Sequence, residues 1–144
     1  MRGLKVIVLL AAGIWPSASW ALTAVCKEPA GYTLGIVPGL GDHRVIDGSD
    51  AMTGGTFTLV WARGARSATL ISQGTGGGPP FTDEGVRILE TEKQVSFLVT
   101  YPNAAWLFSL FPEQGLLLIG SQSPGPLDDG AVMKAFKAKC EVSE

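Results

Sequence analysis

The stretch Val95-Ser-Phe-Leu-Val-Thr-Tyr101, Pro102-Asn103, Ala104-Ala-Trp-Leu-Phe-Ser-Leu-Phe111 decides the fold. In its first limb Val95, Phe97, Val99 and Tyr101 share one face, with Ser96 and Thr100 on the other. Side chains flip face at every residue of a strand, so a period of two marks a sheet surface and not a helix stripe. Pro102-Asn103 has turn chemistry at the point where the pattern restarts. In the second limb Trp106, Phe108 and Leu110 fall into register. The two limbs read as a β-hairpin with one greasy face.

The same period extends outward in both directions. Upstream, Phe57, Leu59 and Trp61 alternate within Thr56–Trp61, Ala62-Arg63-Gly64-Ala65 is a turn, and Arg66–Gln73 returns with Ala68 and Leu70 on one side. Gly74–Pro80 is too rich in glycine and proline for regular structure. Val86–Glu90 resumes the pattern, and Thr91-Glu92-Lys93 turns it. Downstream, Pro112-Glu113-Gln114-Gly115 has a type I turn signature, and Gly115–Ser121 is an apolar strand. Asp128 or Asp129 caps a short helical turn through Met133, after which Phe136, Ala138, Cys140 and Val142 alternate as a last strand. A single helix from Asp129 to Lys139 competes with that strand, because alanine and lysine favour it. Near the start, Tyr32–Val37 reads as a strand, while Gly39–Asp42 and Asp47–Asp50 read as turns. Strands joined by such short loops pair antiparallel. The fold class is therefore all-β, an antiparallel meander of about seven to eight strands closed as a small barrel or packed as a sandwich, with a short helix near 128–133.

The first 21 residues read separately. Arg2 and Lys5 precede an apolar run from Val6 to Trp15, then Pro16, then Ser19-Trp20-Ala21 with small residues at the −3 and −1 positions of a cleavage site. A bilayer core needs roughly 20 apolar residues as a helix, more than this run supplies. The expectation is a signal peptide over 1–21 and one secreted β domain over 22–144. Export, to the periplasm or beyond, gives the two cysteines an oxidising environment, where an even pair bonds. Cys26 and Cys140 would then tie the ends of the domain together.

Charge excludes one class of partner. The chain carries a net −2, and losing Arg2 and Lys5 makes it more acidic; nucleic acid requires a basic footprint. His43 is the sole histidine. Asp42, Asp47 and Asp50 lie near it, but D-x4-D-x2-D is not a calcium-loop pattern, and a zinc site would need further Cys or His ligands. His43, Asp47 and Ser49 lie too close together along one loop to line up as a triad. Gly74-Thr-Gly-Gly-Gly lacks the lysine and hydroxyl of a phosphate loop, and Pro79-Pro80 stands where its helix would start. Phe81, beside that loop, folds down as a lid or anchors a partner.

Thr56–Trp61, Val95–Pro102, Trp106–Pro112 and the tail Phe136-Lys-Ala-Lys-Cys-Glu141 resemble a group of short exported proteins of Gram-negative alphaproteobacteria. That resemblance implies a periplasmic address and supplies no catalytic residue. A looser likeness is to small-barrel periplasmic lysozyme inhibitors, which also tie their ends with a disulfide. The inhibitory Ser-Gly-x-x-Tyr and Lys-Gly-Asp-like segments of those proteins are missing here. The expected function is a non-enzymatic binding or interaction module without metal or cofactor, taking an unknown protein or a small apolar ligand. Its site is the open barrel end, bordered by the Gly39–Ser49 and Gly74–Phe81 loops, with Asp42, His43, Asp47, Gly76, Gly77 and Phe81 as ligand or partner positions. The alternatives are a small hydrolase or metal-dependent enzyme using His43, and a structural envelope protein.

Overall fold

The computed structural model describes residues 20–37, 44–74, 76, 78–125 and 130–144. Residues 1–19, which hold nearly all of the expected signal peptide, lie outside them. The described chain forms nine strands: β1 (Ala21–Val37), β2 (Arg44–Ala51), β3 (Thr56–Ala62), β4 (Ser67–Gln73), β5 (Phe81–Glu90), β6 (Val95–Tyr101), β7 (Ala104–Phe111), β8 (Leu116–Pro124) and β9 (Ala131–Ser143). From β3 to β9 each strand pairs antiparallel with the next, and β1 joins β3 on one edge and β9 on the other. Eight strands thus close a barrel, with β2 as the ninth, extra strand. The barrel, not the sandwich, is the observed form.

Closure depends on the length of β1. Its first half, Ala21–Lys27, pairs with β3, and its second half, Ala30–Val37, pairs with β2. Its opposite edge follows β9 almost throughout, with a register shift between Lys27 and Ala30. Glu28 sits at that bulge with φ 49°, and its N–H donates to the Gly55 carbonyl. Pro29 is buried there, and its carbonyl accepts from the Met52 N–H. The bulge lets one strand serve two partners in turn, as bulges do where a sheet bends.

The alternating residues fill the interior. Phe57, Leu59, Trp61, Leu70, Phe97, Phe108, Leu110, Leu117, Ile119 and Phe136 are all buried. Each such side chain contributes roughly 1.5–3 kcal/mol by leaving water. Phe57 meets Phe108 at 5.6 Å between ring centroids, and Trp61 meets Phe97 at 6.4 Å edge-on. The filling is tight enough that a Cβ on Gly85 would lie 2.7 Å from Leu70 Cδ1 and 3.0 Å from Phe97 Cβ. Outward positions such as Thr58, Thr69, Glu84, Lys137 and Glu141 are half-buried or exposed. This polarity, apolar within and mixed without, is the reverse of a bilayer-spanning barrel. Among the described residues no helix is long and apolar enough to cross a membrane.

Three sequence expectations are corrected. Ala131–Met133 are not helical but open β9, which pairs with β8 and β1 at once. Hydrogen bonds on both edges outweigh the helix propensity of alanine and lysine; residues 126–129 lie outside the described set. Asp47–Asp50 is not a turn but part of β2, paired with Gly31–Leu34. β5 begins at Phe81, directly after Pro80, and not at Val86. The segment Pro112–Gln114 is a single 3-10 turn, ended by Gly115 in the left-handed region at φ 56°.

Candidate functional site

One end of the barrel gathers the end of β4, the start of β5 and the Pro102-Asn103 turn between β6 and β7. A cavity of about 260 Å³ opens there. Its floor is Phe57, Leu70 and Phe108, each at most 4% exposed. Its rim is Met52, Phe81, Tyr101 and Trp106. Below the floor Leu59, Phe97, Leu110 and Leu117 are fully buried. The cavity is a shallow mouth and not a tunnel.

Strand register explains why these residues meet. Residues directly opposite on antiparallel strands share a face. Phe57 is opposite Ser72, and Ser72 is opposite Phe81, so all three point inward. Leu70 is opposite Asp83, and Val99 is opposite Trp106. Trp106 stacks on Phe108 with 6.1 Å between centroids and 17° between planes. The polar groups of the mouth are Ser72, Gln73, Asp83 and the Tyr101 hydroxyl. Tyr101 Oη donates to Asp83 Oδ2 at 2.5 Å. Burial, then the carboxylate beside it, pushes the Tyr101 hydroxyl up to about 12. Absorbance at 295 nm followed through alkaline pH is therefore expected to show a tyrosine component near pH 12 that Tyr101→Phe abolishes. Asp83→Asn should move that component lower.

A second polar group stands on the extended wall. Trp106, Ser121, Lys134 and Thr33 form one row across β7, β8, β9 and β1. Lys134 Nζ lies 2.8 Å from Asp50 Oδ2, and Thr33 Oγ1 donates to the same oxygen at 2.8 Å. The Lys134 hydrogen bond and then that of Thr33 hold the Asp50 carboxyl below its ordinary range. Lys134 Nζ also sits 5.9 Å from the Phe136 ring centroid. On the outer face of this wall Leu34, Ile36 and Met133 are exposed and border an open groove with Ala105, Pro124 and Ala131.

The expected site residues divide three ways. Asp42, His43 and Gly77 lie outside the described residues. Asp47 is exposed on β2, opposite Leu34 and on the face turned away from the mouth. Gly76 lies in the β4–β5 connection, and Phe81 belongs to the mouth. Phe81 is not a folded-down lid: it is the first residue of β5 and 72% exposed. Sequence reasoning assigned Tyr101 and Trp106 to the core and did not read Asp83 or Met52 as site residues. Their position at the ends of alternating runs, beside the hairpin turn, is the signal that places them at a rim.

Cys26 and Cys140 are opposite each other on β1 and β9 and form a disulfide. No protein-family model matches the chain, and no curated protein matches it. Among solved structures, it is similar to a tryptophan-to-alanine mutant of the vaccine antigen transferrin binding protein B from Haemophilus parasuis Hp5. The TM-score is 0.46 at 11% sequence identity, and the match covers 88% of this chain. The chain spans 27% of the length of that protein.

Proposed function

We propose that this is an exported, periplasmic binding module whose ligand enters the mouth between the β4–β5 loop and the β6–β7 hairpin. The observation that carries this reading is the division of the barrel. Its lower part is packed solid with Leu59, Phe97, Leu110 and Leu117, while the upper end keeps a cavity ringed by the incompletely buried side chains of Met52, Phe81, Tyr101 and Trp106. Burying the Phe81, Tyr101 and Trp106 rings more deeply is a source of binding energy that folding has left unused. The export part of the reading rests on the disulfide, which persists in oxidising compartments.

Ligand-observed and protein-observed NMR against a small-molecule library tests the site. Hits are expected to shift the resonances of Tyr101, Trp106 and Phe81 together and to leave Leu34 and Met133 unmoved. Hits confined to the outer groove, or no saturable hit up to about 1 mM, a binding free energy of only about −4 kcal/mol, would end this reading.

A further inference from the structure

The mouth is an aromatic enclosure with a single unbalanced charge. Phe81, Tyr101 and Trp106 form its rim, Phe57 and Phe108 its floor, and Asp83 stands in its wall. One oxygen of Asp83 accepts the Tyr101 hydroxyl, which is neutral at ordinary pH. The other, Oδ1, has no hydrogen-bond partner among the described residues, and none of their lysines or arginines forms an ion pair with this carboxylate. Lys134, in the inward row that includes Trp106, is engaged by Asp50. Ring faces carry negative potential, and a carboxylate adds to it. Both favour a cation that brings its own apolar body, and both disfavour an anion.

We propose that the mouth takes an organic cation, an alkyl- or arylammonium group, with its charge against Asp83 and the rim rings and its apolar part on Phe57, Leu70 and Phe108. The proposal rests on the mouth being the binding site. The ammonium would occupy the open side of Asp83, so it adds a partner without removing the Tyr101 hydrogen bond. The apolar part would fill the cavity above the floor and bury the exposed faces of the rim rings. A neutral molecule of the same shape gains only the second of these, and an anion gains that same part while meeting a like charge.

Tryptophan fluorescence and calorimetric titrations with three compounds of closely similar shape test this. They are 3-phenylpropylammonium, 3-phenylpropan-1-ol and 3-phenylpropanoate. The cation is expected to bind about tenfold more tightly than the alcohol, with the carboxylate weakest. Asp83→Asn should collapse the cation-to-alcohol ratio to about two, whereas Tyr101→Phe, which keeps a ring and frees the carboxylate, should preserve or raise it. Trp106→Leu should lower the ratio while far-ultraviolet circular dichroism stays that of the wild type. Equal or better binding of the alcohol or carboxylate at the mouth overturns the cation assignment and leaves the mouth as the site. Failure of all three compounds to saturate at about 5 mM overturns the cation assignment as well. If library hits still shift Tyr101 and Trp106, the mouth reading survives that failure; if none do, both fall.

Discussion

Replacing both cysteines, as Cys26→Ala/Cys140→Ala, is expected to lower stability by about 4–5 kcal/mol and to bring the urea midpoint down sharply. The reason lies mostly in the unfolded chain. The bridge spans a sequence separation of 114 residues, so it removes a large loop from the freedom of the denatured ensemble. A domain of this size is held by only about 5–15 kcal/mol, so the loss is a large share of the total. The location adds to it, because β1 and β9 are the first and last strands and their pairing is what closes the barrel. The remaining β1–β9 pairs, from Thr23↔Ser143 to Ile36↔Ala131, should still hold a folded state, so the variant is expected to unfold cooperatively at lower urea. Wild type treated with reductant should behave alike. Equilibrium urea denaturation followed by tryptophan fluorescence measures both, and a loss under about 1 kcal/mol would refute the account. If the loss is as large as expected, the same chain made in a reducing compartment is only marginally stable.

The legible part of the fold was the part whose two faces differ. From Thr56 onward most inward positions are apolar and their neighbours mostly are not, and β3, β6 and β7 were readable to within a residue or so. The bond between Cys26 and Cys140 was readable for a different reason, since the expectation of export left an even pair few other outcomes. The early region obscured its own pattern. In the far half of β1 the large residues Tyr32, Leu34 and Ile36 point outward and are exposed, while the small Gly31, Thr33 and Gly35 turn inward. There the apolar stripe marks the wrong face. Asp47-Gly-Ser-Asp50 has turn composition, yet it is held as a strand by β1 on one side and by the Lys134 and Thr33 bonds to Asp50. In β5 the polar Asp83 and the bare Gly85 occupy inward positions, so the first half of the strand showed no alternation. The site suffered from the same effect. Glycine and proline drew the reading toward the loop, whereas the groups able to act on a ligand stand at the strand ends, where a core stripe meets solvent.

Gly31→Ala is expected to cost about 3 kcal/mol, at the top of the range for overpacking, although it adds one carbon. A Cβ at Gly31 would fall on the carbonyl oxygen of Ala135 and come within 2.7 Å of the Phe136 Cα. Both are backbone atoms, so no side chain can swing aside. β9 cannot retreat either, since β8 holds its other edge from Leu116↔Lys139 to Pro124↔Ala131. The far half of β1 must therefore lift, and it carries β2 with it. Amide exchange should then quicken at Thr33–Ile36 and across β2, while Val95–Tyr101 stay protected. Lifting β1 also separates Asp50, opposite Gly31, from Lys134 on β9. Asp50 is held below its ordinary value of 3.8 in the folded chain, so its contribution is present above that pH and lost as pH falls through the folded value. The variant lacks this contribution at every pH. The gap in melting temperature between wild type and variant, about 10 °C near neutrality for a loss of this size, should therefore narrow on acidification below pH 4 or so. A gap that is pH-independent, or exchange that quickens evenly over all nine strands, would mean that the close approach of β1 to β9 does not hold the mouth's extended wall in place.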